Sequence, residues 1–131
     1  MSQVNWIELL GWGEDQIEDL RFVGYSYIKQ GKYDIALSFF EALTVLDPDS
    51  LYDNQILGGL YLETGNHLAA LDLLERAIKT DGSHAPTLLN RIKAMIGLGY
   101  KKQALSQAQV LVDNPDTSIA NEAEAIILAY S

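Results

Sequence analysis

An interval of 34 residues recurs along the chain, and it limits the possible folds more than any other feature. Gly31, Gly65 and Gly99 stand 34 apart, and so do Ala36, Ala70 and Ala104. Gly24 pairs with Gly58, Tyr27 with Tyr61 and Asp47 with Asp81 at the same interval. Self-similarity at such a period marks a stack of small supersecondary units. Each unit buries its apolar face only against its neighbours.

Inside one period the chain reads as two helices joined at a glycine. Over about 15–30, Ile17, Leu20, Val23 and Tyr27 recur at spacings of three and four, which puts them on one buried helical face. Gln30-Gly31-Lys32 ends this helix, because glycine accepts the left-handed conformation of a C-terminal cap. A second helix over about 33–46 carries Ala36, Leu37, Phe40, Leu43 and Leu46 inward, and Asp47-Pro48-Asp49-Ser50 stops it. Ser50 with Asp53 three residues on resembles a capping box. The same grammar predicts helices over about 51–64, 67–80, 85–98 and 101–113.

A short helix over about 3–10, with Trp6, Leu9 and Leu10, and a last one over about 117–130, with Ile119, Ala123, Ile126, Ile127 and Tyr130, would cover the open ends. No strand is expected. The 131 residues then make one all-α domain, with repeats about 17–50, 51–84 and 85–116.

Gly24 and Gly58 are expected to let Ala36 and Ala70 of the second helices come close. The third unit breaks the pattern, with Ile92 in place of the glycine and Ala108 where Phe40 and Leu74 stood. Two readings stay open: a compensating exchange of large and small at constant volume, or a looser third unit.

Charge and composition narrow the function. A formal charge of −9 argues against nucleic acid or an anionic membrane as partner, since both need a basic footprint. No run approaches the roughly 18 apolar residues of a membrane span. The start, MSQVNWIELLGWGEDQ, has neither the basic region nor the apolar core of a secretory signal, so a cytoplasmic location is the expectation. With no cysteine there is no thiolate or disulfide chemistry.

Leu20, Gly24, Tyr27, Ala36, Phe40 and Pro48, echoed by Gly58, Tyr61, Ala70 and Ala77, resemble the tetratricopeptide repeat over about residues 17–116. The resemblance implies a short right-handed superhelix of three repeats, its first helices lining a concave groove. Gly31-Lys32-Tyr33-Asp34 and the run Phe40-Glu41-Ala42-Leu43-Thr44-Val45-Leu46-Asp47, with Gly58-Gly59-Leu60 and Gly65, are similar to translocator-class chaperones of bacterial type III secretion. That likeness implies a chaperone, not an enzyme, with no cofactor, holding a secreted apolar protein before export. It also implies a possible homodimer, although the N-terminal segment used for self-association in that family is short here. A needle-subunit chaperone working beside a small co-chaperone is the near alternative. A repeat scaffold without export cargo is the farther one.

By the same resemblance the groove would present Arg21, Tyr25, Ile28 and Lys29 from the first unit. The second would give Tyr52, Gln55, Gly59, Leu62 and Glu63, and the third Leu89, Lys93 and Ile96. This is an apolar floor with aromatic rings, suited to an extended peptide with hydrophobic anchors. Another known use of three such repeats, a clamp for a terminal carboxylate, needs lysines, arginines and asparagines. Tyr25, Ile56 and Pro86 occupy three of those places, and only Arg21 fits.

Other constellations read as structural. Glu14, Asp15, Glu18 and Asp19 are acids favourably placed near a helix N-terminus. His67 and His84 lack partners at metal spacing, and His67 reads as a packing residue. Ser26 and Ser83 lack a triad pattern, and Trp6 and Trp12 read as anchors of the N-terminal cover. Finally, residues 8–19 hold five acids and no base, whereas 82–112 hold four bases and no acid. The two ends should carry opposite potentials, unless this is an ordinary uneven surface.

Overall fold

The computed structural model describes residues 9–131. Trp6 and most of the expected helix 3–10 lie outside the described residues. Seven helices follow in the described part: α1 Glu14–Lys29, α2 Tyr33–Leu46, α3 Leu51–Glu63, α4 His67–Thr80, α5 Ala85–Gly97, α6 Lys101–Leu111 and α7 Thr117–Tyr130. Among the described residues there is no strand. The boundaries fall within two residues of those the periodicity predicts, because the same stop and start signals set them.

The stop signals are alike in all three units. Gly31, Gly65 and Gly99 have φ of 74°, 85° and 89°. After α1, Gly31 N–H donates to the Ile28 carbonyl at 2.9 Å and Lys32 N–H to the Tyr27 carbonyl at 2.9 Å. Gly65 and Asn66, and then Gly99 and Tyr100, repeat that pair of bonds, which is the Schellman geometry that satisfies orphan carbonyls. A Cβ at Gly65 would meet nothing within 4 Å, so Gly65→Ala carries a backbone cost alone. It should lower stability by about 1–2 kcal/mol, read as a shift of the urea midpoint at unchanged slope.

The start signals differ in chemistry. Ser50 Oγ accepts from Asp53 N–H at 3.2 Å, Asn66 Oδ1 from Ala69 N–H at 3.3 Å, and Asp116 Oδ1 from Ser118 N–H at 2.9 Å, each satisfying a donor that the helix leaves unpaired. Pro86 stands in the first turn of α5, where its missing N–H costs no helical hydrogen bond.

Packing bears on the two readings of the third unit. A Cβ on Gly24 would come 2.9 Å from Phe40, and one on Gly58 would come 2.8 Å from Leu74. The partners that need the glycines are therefore Phe40 and Leu74, rather than Ala36 and Ala70 as expected. Phe40 and Leu74 align with Ala108 at the 34-residue interval, as Gly24 and Gly58 align with Ile92. Ile92 and Ala108 are buried in one cluster with Leu89, Met95, Ala104 and Leu111. The third unit thus puts the large side chain on the first helix and the small one on the second. Both are buried, as an exchange at constant volume requires.

Both ends can be compared with their expected covers. Ile119 and Ala123 of α7 enter the core of the third unit, with Ile126 and Ile127 packed against it, whereas Tyr130 is exposed. At the other end Trp12 packs on the first cluster, but Leu9 and Leu10 stay exposed and do not cover it. His67 bears out its reading as a packing residue. Its ring lies 2.6 Å from where a Cβ on Gly97 would stand, so Gly97 is glycine to admit that ring.

Candidate functional site

Successive first helices touch: α3 packs on α5, and α5 on α7. Successive second helices, α2 with α4 and α4 with α6, make no such contact among the described residues. Helices on the inside of a curved stack lie closer than those outside, so the first helices form the inner wall. One step differs. The backbones of α1 and α3 stand farther apart than those of the later first helices, and a cleft of 710 Å³ opens between α1 and the turn into α3, lined by Glu18, Arg21, Phe22, Tyr25, Asp47, Asp49, Ser50 and Tyr52.

A single ion pair spans that gap. Arg21 Nε donates to Asp53 Oδ1 and Nη2 to Asp53 Oδ2, both at 2.7 Å. Nη1 donates to Glu18, and Asp47 stands 3.8 Å away. Asp53 is 0% exposed and lies in the first turn of α3, where helix N–H groups favour negative charge. The bidentate bond to Asp53 is the main reason the Arg21 guanidinium ionises well above its ordinary range, opposed by its own burial and helped by Glu18 and Asp47. Sequence reading placed Asp53 in a capping box. The box is half formed: Ser50 caps Asp53 N–H, but the carboxylate goes to Arg21.

Of the expected groove residues, Tyr25 and Tyr52 are exposed, at 40% and 43%. Lys29 and Glu63 are exposed too, and the Lys29 ammonium lies over the Tyr25 ring, 4.9 Å from its centre. Burial raises the Tyr52 hydroxyl above the usual tyrosine range, with the nearby Tyr25 and Asp53 adding to it. Gln55 is half-buried. Ile28, Leu62 and Ile96 are half-buried as well, with one side packed into a core cluster each.

Three residues sit differently from their expected role as free surface. Leu89 is 4% exposed and belongs to the third unit's core, because its side chain turns toward α6 and α7. Arg21 is engaged by Asp53, and Lys93 pairs with Glu122 of α7 at 3.3 Å. Phe22, absent from the expected set, is 71% exposed on the cleft wall. Its place one residue after Arg21 on α1 was the available signal. Asn90 was also missed: its side-chain amide is 3.6 Å from where a Cβ on Gly59 would stand, so it lies on the α3–α5 seam.

The remaining candidates keep structural roles. The Ser26 hydroxyl donates to the Phe22 carbonyl, and the Ser83 hydroxyl donates to Asp81. His84 Nδ1 is 2.6 Å from Thr87 Oγ1. Among the described residues no group of three or more His, Cys, Asp or Glu could hold a metal ion, and no helix is long and apolar enough to cross a membrane. The expected contrast in charge between the ends is weaker than the sequence implied. Arg91 pairs with Glu75 at 3.6 Å and Lys93 with Glu122, so acids from other helices answer half of the basic stretch.

Comparison with known proteins agrees with this architecture. The family model described as Tetratricopeptide repeat matches residues 22–50. No curated protein matches. PcrH of Pseudomonas aeruginosa, solved with the chaperone binding region of PopD, superposes with a TM-score of 0.77 at 24% identity, covering 92% of this chain and 94% of that one. The type III secretion translocator chaperone SycD of Yersinia enterocolitica gives 0.75 at 18% identity, covering 98% and 99%. The second tetratricopeptide domain of human RPAP3, in complex with an HSP70 peptide, gives 0.72 at 21% identity, covering 86% and 96%. At these identities the likeness is one of fold.

Proposed function

We propose that this tetratricopeptide-repeat protein is a holding chaperone, whose inner face takes an extended apolar segment of a secreted protein before export. The cargo class that fits best is a translocator of a type III secretion system. The observation that carries the reading is the row of aromatic rings left open on the inner wall, Tyr25 and Tyr52 with Phe22 beside them. Exposed rings of this size are costly in water and give a binding partner large apolar area at little entropic cost. The half-buried Ile28, Leu62 and Ile96 continue the apolar floor along the three units. PcrH, of similar fold, was solved with a segment of PopD, which supports a peptide-holding role.

RPAP3, of the same fold, was solved with an HSP70 peptide, so fold alone does not choose the ligand. The side chains favour apolar cargo over a terminal carboxylate. The one cation at a clamp position, Arg21, is held by Asp53, while Tyr25, Ile56 and Pro86 stand at the others.

The test is co-purification from the native organism with identification of what accompanies the protein, for the parent and for Tyr25→Ser/Tyr52→Ser. Both rings are outside the core clusters, so helicity and thermal midpoint should change little. Loss of two anchors worth about 1.5–3 kcal/mol each when fully buried should remove the partner from the eluate. A folded double variant that retains its partner at parental yield would move recognition to another face.

A further inference from the structure

The cleft between α1 and α3 shares the aromatic rings of the apolar groove and adds a charge that the apolar-groove reading does not use. Phe22, Tyr25 and Tyr52 present ring surface to it, and Glu18, Asp47 and Asp49 present carboxylates. Four acids surround it when Asp53 is counted, against one lining base, Arg21. Arg21 pairs with both Asp53 and Glu18, so these groups keep a net excess of negative charge, with Asp49 free of Arg21 and Asp47 only 3.8 Å from it. The Glu18 side chain is largely exposed and that of Asp47 partly so, so both can face a ligand. The molecule also shows how the rings treat a cation: the Lys29 ammonium rests 4.9 Å from the Tyr25 ring centre, within the distance at which a ring attracts an ammonium.

We infer that this cleft receives a basic side chain, lysine or arginine, flanked by apolar residues on the bound polypeptide. The inference rests on the peptide-holding role proposed above and specifies its register. An aliphatic stem lies along rings while its charged head reaches the acids, a division natural to lysine and arginine. An acidic side chain would meet an excess of like charge, and a purely apolar one would bury carboxylates without a partner. Because Arg21 closes the floor of the cleft on Asp53, the cation would bind at the rim formed by Glu18, Asp47 and Asp49. The neutral flanks would take the Phe22 and Tyr52 rings.

The experiment titrates the isotope-labelled full chain with three short peptides, Ac-Leu-Arg-Leu-NH2, Ac-Leu-Gln-Leu-NH2 and Ac-Leu-Glu-Leu-NH2, following backbone amide shifts. The arginine peptide should move amides of residues 18–25 and 47–52 and bind about tenfold more tightly than the glutamine peptide. The glutamate peptide should bind most weakly. Asp47→Asn/Asp49→Asn should abolish the preference, and Asp49→Asn alone, in an exposed turn, should reduce it without any effect on folding. Raising salt should shrink the difference between the arginine and glutamine peptides. Equal binding of those two peptides along the inner wall would overturn the charge selection and leave the peptide-holding role standing. Shifts confined to other surfaces, or none with any peptide, would overturn both.

Discussion

Truncation after Asp116 is expected to convert the protein into an aggregating species. The change removes α7, whose Ile119 and Ala123 are buried and whose Ile126 and Ile127 pack on the same cluster. A fully buried isoleucine accounts for about 1.5–3 kcal/mol, so the whole helix represents on the order of 5 kcal/mol. A domain of this size has only about 5–15 kcal/mol in total, and the loss is therefore comparable with its entire stability. The same cut uncovers Leu89, Ile92 and Leu111, whose exposed faces would pair between molecules. Size-exclusion chromatography with light scattering reads the outcome. A soluble, monomeric 1–116 fragment melting with the parent would show that the third unit needs no cover.

The second large effect is expected at the bridge between α1 and α3. Arg21→Met leaves the wholly buried Asp53 carboxylate without its partner. Breaking a buried pair from one side costs about 3–5 kcal/mol. Asp53→Leu should cost less, about 1–3 kcal/mol, because the Arg21 head keeps Glu18 and some water. The double variant should recover most of the loss, since two apolar groups of similar size replace the pair without stranding a charge. Urea denaturation of the four proteins closes the cycle. Additive effects would mean that the two residues act independently and that something else holds α1 to α3.

The bridge also depends on a contact that local sequence does not encode. Ser50 and Asp53 stand at capping-box spacing, and the hydroxyl half of that reading holds. The other half failed because Asp53 had a better partner 32 residues away. No local pattern signals a contact between side chains that far apart in the chain. Leu89 was placed on the groove for a related reason. Its phase on α5 is compatible with either face, and the cover supplied by α7 decided that it is core.

What the sequence determined by itself is the repeat and its helices. The glycines with positive φ and the cap at Ser50 act over a few residues each, and the 34-residue interval repeats them, so they can be read without knowing the neighbours. The exchange at Ile92 and Ala108 was visible as a departure, but only packing showed that both residues are buried in one cluster and that Phe40 and Leu74 are what Gly24 and Gly58 admit. Tertiary structure alone decided the cleft, the fate of Arg21 and Lys93, and the exposure of Phe22. These depend on how far apart two helices sit and which distant charge arrives between them. Helix spacing in a stack is set by side-chain volumes summed over whole interfaces, and ion pairing by distances that helical periodicity does not encode.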